Sequence, residues 1–86
     1  MPNAAFFHPD SASVRFWVDV DGLSVGASVS KQTLHYRFQP TRTDDEPLAT
    51  YQANLAEIEA AVRARVAAGS LEPIMLREHD LRPKAL

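Results

Sequence analysis

Residues Ser13 to Val29 read SVRFWVDVDGLSVGASV, and this stretch constrains the fold more than any other. Val14, Phe16, Val18 and Val20 alternate with Arg15, Trp17 and Asp19. After Asp21-Gly22 the alternation resumes with Leu23, Val25, Ala27 and Val29. A period of two belongs to a half-buried strand. Asp-Gly between two such runs predicts a two-residue hairpin turn whose central residues both take positive φ. The turn length sets the register: Val20 opposite Leu23, Val18 opposite Val25, Phe16 opposite Ala27 and Val14 opposite Val29, all on the core face. Trp17 then lies across from Gly26, Arg15 from Ser28 and Asp19 from Ser24. A slip of one residue would turn the whole apolar set to water, so the register is firmly specified.

The remaining segments read as helices and one further strand. Residues 1–12 form a lead-in with Phe6-Phe7 as an apolar anchor and His8-Pro9-Asp10-Ser11 as a turn. Ser30 is placed to cap a short helix over Lys31 to Gln39, with Leu34 and Phe38 inward, Tyr36 opposite them, and Pro40 as the stop. After a polar loop, Asp44 or Asp45 is expected to cap a second helix with Pro47 in its first turn. That helix is predicted to run unbroken from Pro47 to Ala68 and to close at Gly69. Leu48, Tyr51, Leu55, Ile58, Val62 and Val66 make its narrow core stripe. Ala49, Ala53, Ala56, Ala60, Ala64 and Ala67 line the opposite side. Alanine is the best helix former and needs no partner there, but a stripe of small residues also lets a second helix approach closely. Glu72 to Arg77 reads as a third strand with Ile74 and Leu76 on one face, followed by a charged tail that frays after Leu81. Phe16, Val18, Val25, Leu34, Phe38, Leu55, Ile58 and Val62 are the expected core.

A chain of 86 residues without cysteine makes one small domain, spanning residues 1–86, that no disulfide or thiolate metal site can staple. Its stability rests on one apolar core, extended by self-association. A formal charge of −2 argues against the uniformly basic footprint of a nucleic-acid-binding domain. No apolar run approaches the roughly 18 residues of a membrane span. The first ten residues have neither a basic start nor a long apolar stretch, so no signal peptide is read there. A cytoplasmic protein without membrane contact is the expectation.

Candidate chemistry is sparse. His8-Pro9-Asp10 and His79-Asp80 each place an imidazole near a carboxylate, as acid–base work requires. His35, however, has no histidine or acid three or four residues away, and the set lacks the spacing of a structural metal site. Ser24, Ser28 and Ser30 have no nucleophile elbow around them, and no glycine-rich phosphate loop occurs. No catalytic residue, metal or cofactor is implied. Trp17 stands out on the polar face of the hairpin. It either shields the bare backbone of Gly26 or serves as a binding anchor, and the two roles are compatible.

The lead-in Phe6-Phe7-His8-Pro9, the hairpin strand Val14-Arg15-Phe16-Trp17, the segment SVSKQTLHYRF and the helix carrying Asn54, Ile58 and Glu59 together resemble domain-of-unknown-function family 1488. The resemblance runs from about Phe7 to Leu81. It implies a bacterial, intracellular, free-standing α+β domain and brings no activity, cofactor or catalytic residue.

The fold expected is α+β: an antiparallel hairpin extended to a small three-stranded sheet, with one short and one long helix packed on one face. The function expected is a non-enzymatic interaction module that pairs as a homodimer or binds another protein. Its candidate surface comprises Arg15, Trp17, Tyr36, Ala53, Ala60 and Ala64. One alternative is a dimeric nucleic-acid regulator gathering Arg15, Arg37, Arg42, Arg63 and Arg65. Another is a small oligomeric enzyme with His35 or His79 in an intersubunit cleft.

Overall fold

A computed structural model describes residues 5–41, 43–44 and 46–81. The chain runs through β1 (Phe6–His8), a 3-10 turn (Pro9–Ser11), β2 (Ser13–Val20), β3 (Leu23–Ser30), α1 (Lys31–Phe38), α2 (Pro47–Ala53), α3 (Leu55–Ala67), β4 (Ile74–Leu76) and a second 3-10 turn (Glu78–Leu81). The class is α+β, as the sequence indicates, but the sheet has four strands in the order β1-β2-β3-β4. The hairpin has the expected register throughout, from Val20 opposite Leu23 to Ser13 opposite Ser30. Asp21 at φ 52° and Gly22 at φ 82° supply the paired positive φ angles that match the twist of the flanking strands.

One added strand corrects the three-stranded expectation, and the expected strand over Glu72 to Arg77 is present but shorter, at Ile74–Leu76. Phe6–His8, read as lead-in, pairs antiparallel with β2, setting Phe6 opposite Arg15 and Phe7 opposite Val14. The last strand joins the outer edge of β3 in parallel, with Ser28 opposite Met75. Parallel neighbours need a long crossover, and here α1, α2 and α3 are that crossover. All three helices therefore pack on one face, over Val14, Phe16, Val18, Ala27 and Val29.

The long helix is also two. Asn54, at φ −123° and ψ 28°, leaves helical geometry, and its N–H turns to the Tyr51 carbonyl at 3.1 Å. The Thr50 carbonyl that loses this partner accepts from the Asn54 side-chain Nδ2 at 2.9 Å. Asparagine supplies both the break and its repair. The shift in helical phase explains why Leu55, expected in the core, is 39% exposed. Ile58 and Val62 one and two turns later are fully buried. Val25 and Phe38 pack against the core only in part. Leu23, beyond the reach of the helices at the hairpin tip, is 70% exposed.

The helix ends follow local chemistry. Ser30 Oγ accepts the Thr33 N–H at 3.0 Å, the expected cap of α1. Glu46 occupies the N-cap of α2 and gives no side-chain bond, so Asp44 is not the cap; Asp45 lies outside the described residues. At the end of α3, Gly69 with φ 94° donates to the Val66 carbonyl and Ser70 to the Arg65 carbonyl, each at 3.0 Å. That pair is a Schellman closure. Leu81 is buried in the core, while the tail expected to fray, residues 82–86, lies outside the described residues.

Replacing Gly22 by valine leaves no contact to clash with, yet demands positive φ from a β-branched residue. It should cost more than about 1 kcal/mol in urea unfolding. Ile58→Ala should cost about 2–5 kcal/mol. Leu55→Ala should cost less than about 1 kcal/mol, because its side chain is already partly in water. Equal losses for Ile58→Ala and Leu55→Ala would contradict the break at Asn54.

Candidate functional site

With the helices on one side, the other face of the sheet is bare. Side chains alternate across strands, so this face can be read in rungs. Asp19 and Ser24 lie nearest the hairpin turn, then Trp17 and Gly26, then Phe6, Arg15, Ser28 and Met75, then His8, Ser13 and Ser30. Arg77, one residue past the Val29–Leu76 pair, continues the last rung. A groove of about 640 Å³ opens over this surface, bordered by Trp17, Gly26, Ser28, Arg15, Met75 and Arg77, with Glu78 at its far end. Phe6 and Met75 are 41% and 56% exposed.

Trp17 occupies the place the hairpin register assigns to it. A Cβ built on Gly26 would lie 3.6 Å from Trp17 Nε1, so the indole covers the glycine backbone at van der Waals distance. The Phe6 ring lies 6.1 Å from the indole, centroid to centroid. The Gly26 N–H, on the edge facing β4, donates to Glu72 Oε1 at 2.7 Å. That bond ties the loop before β4 to the hairpin. The guanidinium of Arg15 makes no ion pair among the described residues, and neither does that of Arg77.

The other expected surface residues lie elsewhere. Tyr36 is exposed on α1, its ring 5.0 Å from that of His35. Ala53 is exposed on α2, and Ala60 and Ala64 on α3, in the helix layer behind the sheet. The break at Asn54 cuts the alanine stripe, leaving Ala49 and Ala53 on one helix and Ala56, Ala60, Ala64 and Ala67 on another. The candidate surface thus divides into a sheet side with Arg15 and Trp17 and a helix side with the alanines. Phe6, Met75 and Arg77 are additional members of the sheet side. Alternation gave a signal for Met75, since a residue between inward Ile74 and Leu76 must point outward.

The arginines are divided in the same way. Arg37 pairs with Glu57 at 2.9 Å and also donates to the Leu81 carbonyl. Arg63 lies 3.8 Å from Glu59. Arg65 pairs with Asp80 at 2.7 Å and donates to the Met75 carbonyl at 3.1 Å. These three are structural ties, and Arg42 lies outside the described residues.

The histidines are similarly placed by local bonds. His8 Nδ1 is 2.9 Å from Ser11 Oγ, which is 2.7 Å from Ser13 Oγ; Asp10 is not its partner. His79 Nε2 lies 3.6 Å from Asp80 Oδ1, but Asp80 is already committed through Oδ2 to Arg65 and the Arg77 N–H. Among the described residues, no three His, Cys, Asp or Glu side chains converge as a metal ion would require. No helix among them is long and apolar enough to cross a membrane.

A family model described as "Protein of unknown function (DUF1488)" matches residues 2–76 of the 86, and the chain belongs to that family. No curated protein and no solved structure matches it.

One clear shift in acidity lies on the core side, away from the groove. Burial, and secondarily the Glu59 carboxylate, hold the Tyr51 phenol above its ordinary value of 10.0. The Tyr51 ring packs 4.8 Å from that of Phe16. Because the folded value exceeds the unfolded one, the contribution of neutral Tyr51 is intact below pH 10 and is lost as pH rises through the folded value. Urea midpoints should therefore fall with alkali above about pH 10, and fall less in Tyr51→Phe. Parallel curves for the two proteins would contradict a buried neutral phenol.

Proposed function

We propose that this protein is a non-enzymatic interaction module that self-associates, and that its working surface is the bare face of the sheet. The observation that carries this reading is the one-sided crossover. Three helices cover one face and leave the other with an exposed Phe6 and with Trp17 and Met75 around an open groove. In a domain of this size such a surface is a large share of the apolar area, and two-fold pairing is the commonest way to cover it.

Ser11 lines the groove with its Oγ 2.9 Å from His8 Nδ1, but among the described residues no carboxylate pairs with that imidazole to orient it, which weighs against an enzyme. Arg37 and Arg65 are committed to carboxylates of the same chain and Arg63 stands 3.8 Å from Glu59, which weighs against a basic nucleic-acid surface. An alanine stripe divided between two helices offers a partner less continuous contact than the sheet does.

Sedimentation at micromolar concentration should give a dimer whose interface buries at least about 1,000 Å² in total. Trp17→Ala should yield a folded monomer. Ala60→Glu, in the helix layer, should leave the dimer intact. A monomeric wild type would overturn the reading, and dissociation by Ala60→Glu alone would move the contact to the helices.

A further inference from the structure

The charges on the bare face are sorted along the strands. Asp19 and Asp21 stand at the hairpin tip, Arg15 in the middle, and Arg77 at the opposite end. None of these four side chains forms an ion pair among the described residues. Glu78 sits beside Arg77 and lowers the net positive charge of that end without reversing the order.

A surface that carries both signs at opposite ends is complementary to itself when turned end for end. We propose that the occupant of this face is a second copy, stacked with its β2 antiparallel over β2 about a two-fold axis at Phe16. This inference rests on the self-association reading and fixes its register.

The geometry follows from the alternation. About that axis, Trp17 lies over the partner's Arg15, and Arg15 over the partner's Trp17. Asp19 lies over the rung formed by His8, Ser13, Ser30 and Arg77 of the partner, and symmetry repeats the contact. In the same register the Trp17 indole that covers Gly26 faces the partner's Ser28, and Pro73 lies over the partner's Met75. The β2, β3 and β4 pairings share this centre, because Phe16 pairs with Ala27 and Ala27 with Ile74.

Face-to-face sheets stand about 10 Å apart, a gap that indole and guanidinium side chains fill between them. A guanidinium over an indole is a favourable cation–π contact, strongest when water is excluded. Arg77 and Asp19 of the partner are offset by two strand spacings of about 4.8 Å each, which a long arginine side chain can cross. The absence of a side chain at Gly26 lets the indole of Trp17 lie flat over the strand, so it is this ring that the partner's side chains meet at the centre of the face. A polyanion would gain from Arg15 and Arg77 but would meet Asp19 and Glu78 on the same surface. A second copy turns Asp19 into a contact with Arg77.

Charge exchange between copies tests the register. Asp19→Arg alone sets two arginines against each other twice per dimer, and Arg77→Glu alone sets two acids against each other twice. Each variant should therefore weaken self-association by at least about tenfold. Mixed in equal amounts, the two variants should pair as a heterodimer near wild-type affinity, because both contacts are then between opposite charges.

Arg15→Gln should also weaken the dimer, through loss of the contact with Trp17. It serves as the readout if either charge reversal disturbs folding, which urea midpoints report. A wild-type dimer unaffected by all three substitutions would overturn this register while leaving self-association standing. A mixture that stays monomeric although both variants are folded would overturn it too. A wild type that is itself monomeric would remove the parent reading.

Discussion

The eight-residue pairing of β2 with β3 is the interaction on which the rest of the molecule depends. Its register is set at a single point, the Asp21-Gly22 turn, where both residues must hold positive φ. Everything else takes its position from that pairing. The apolar residues at Val14, Phe16, Val18, Ala27 and Val29 become one floor, against which Leu34, Tyr51, Ile58 and Val62 pack. The polar set at Ser13, Arg15, Asp19, Ser24 and Ser28 becomes the opposite face, with Trp17 over Gly26 at its centre.

A second constraint makes the molecule one-sided. β4 joins β3 in parallel, and the connection between them must cross the sheet. Three helices make that crossing on the Val14 side, and the bare side has no covering layer within the described residues. Small ties hold the return: Arg65 joins α3 to Asp80 and to the Met75 carbonyl, and Glu72 caps the Gly26 N–H. The function proposed for the bare face therefore follows from topology as much as from the residues on it. A sheet with helices on both sides would have hidden Trp17.

Features decided by near neighbours were legible in the sequence. The hairpin, the Ser30 cap, the Gly69 closure and the burial of Phe16, Leu34, Ile58 and Val62 each depend on spacing within a few residues. Features decided by distant partners were not. Phe6–His8 is too short to read as a strand without β2 beside it, and no local signal says that Ile74–Leu76 runs parallel to β3. Asn54 sat inside an otherwise regular apolar pattern. Its side chain competes with the backbone for the Thr50 carbonyl, and that preference outweighed helical continuity. For the candidate site, Arg15 and Trp17 were visible from alternation. The separation of Ala53, Ala60 and Ala64 onto the far side, and the addition of Phe6 and Arg77, required the sheet order.

The chain contains one tryptophan, and it stands at the centre of the face assigned to the partner. Acrylamide quenching of Trp17 fluorescence, followed across a dilution series, reads the covering of that face directly. Quenching should be weak at high protein concentration and rise as dilution separates the copies, with the emission moving to the red over the same range. Quenching and emission that stay constant from dilute to concentrated protein, while sedimentation still reports a dimer, would place the contact elsewhere and contradict the account.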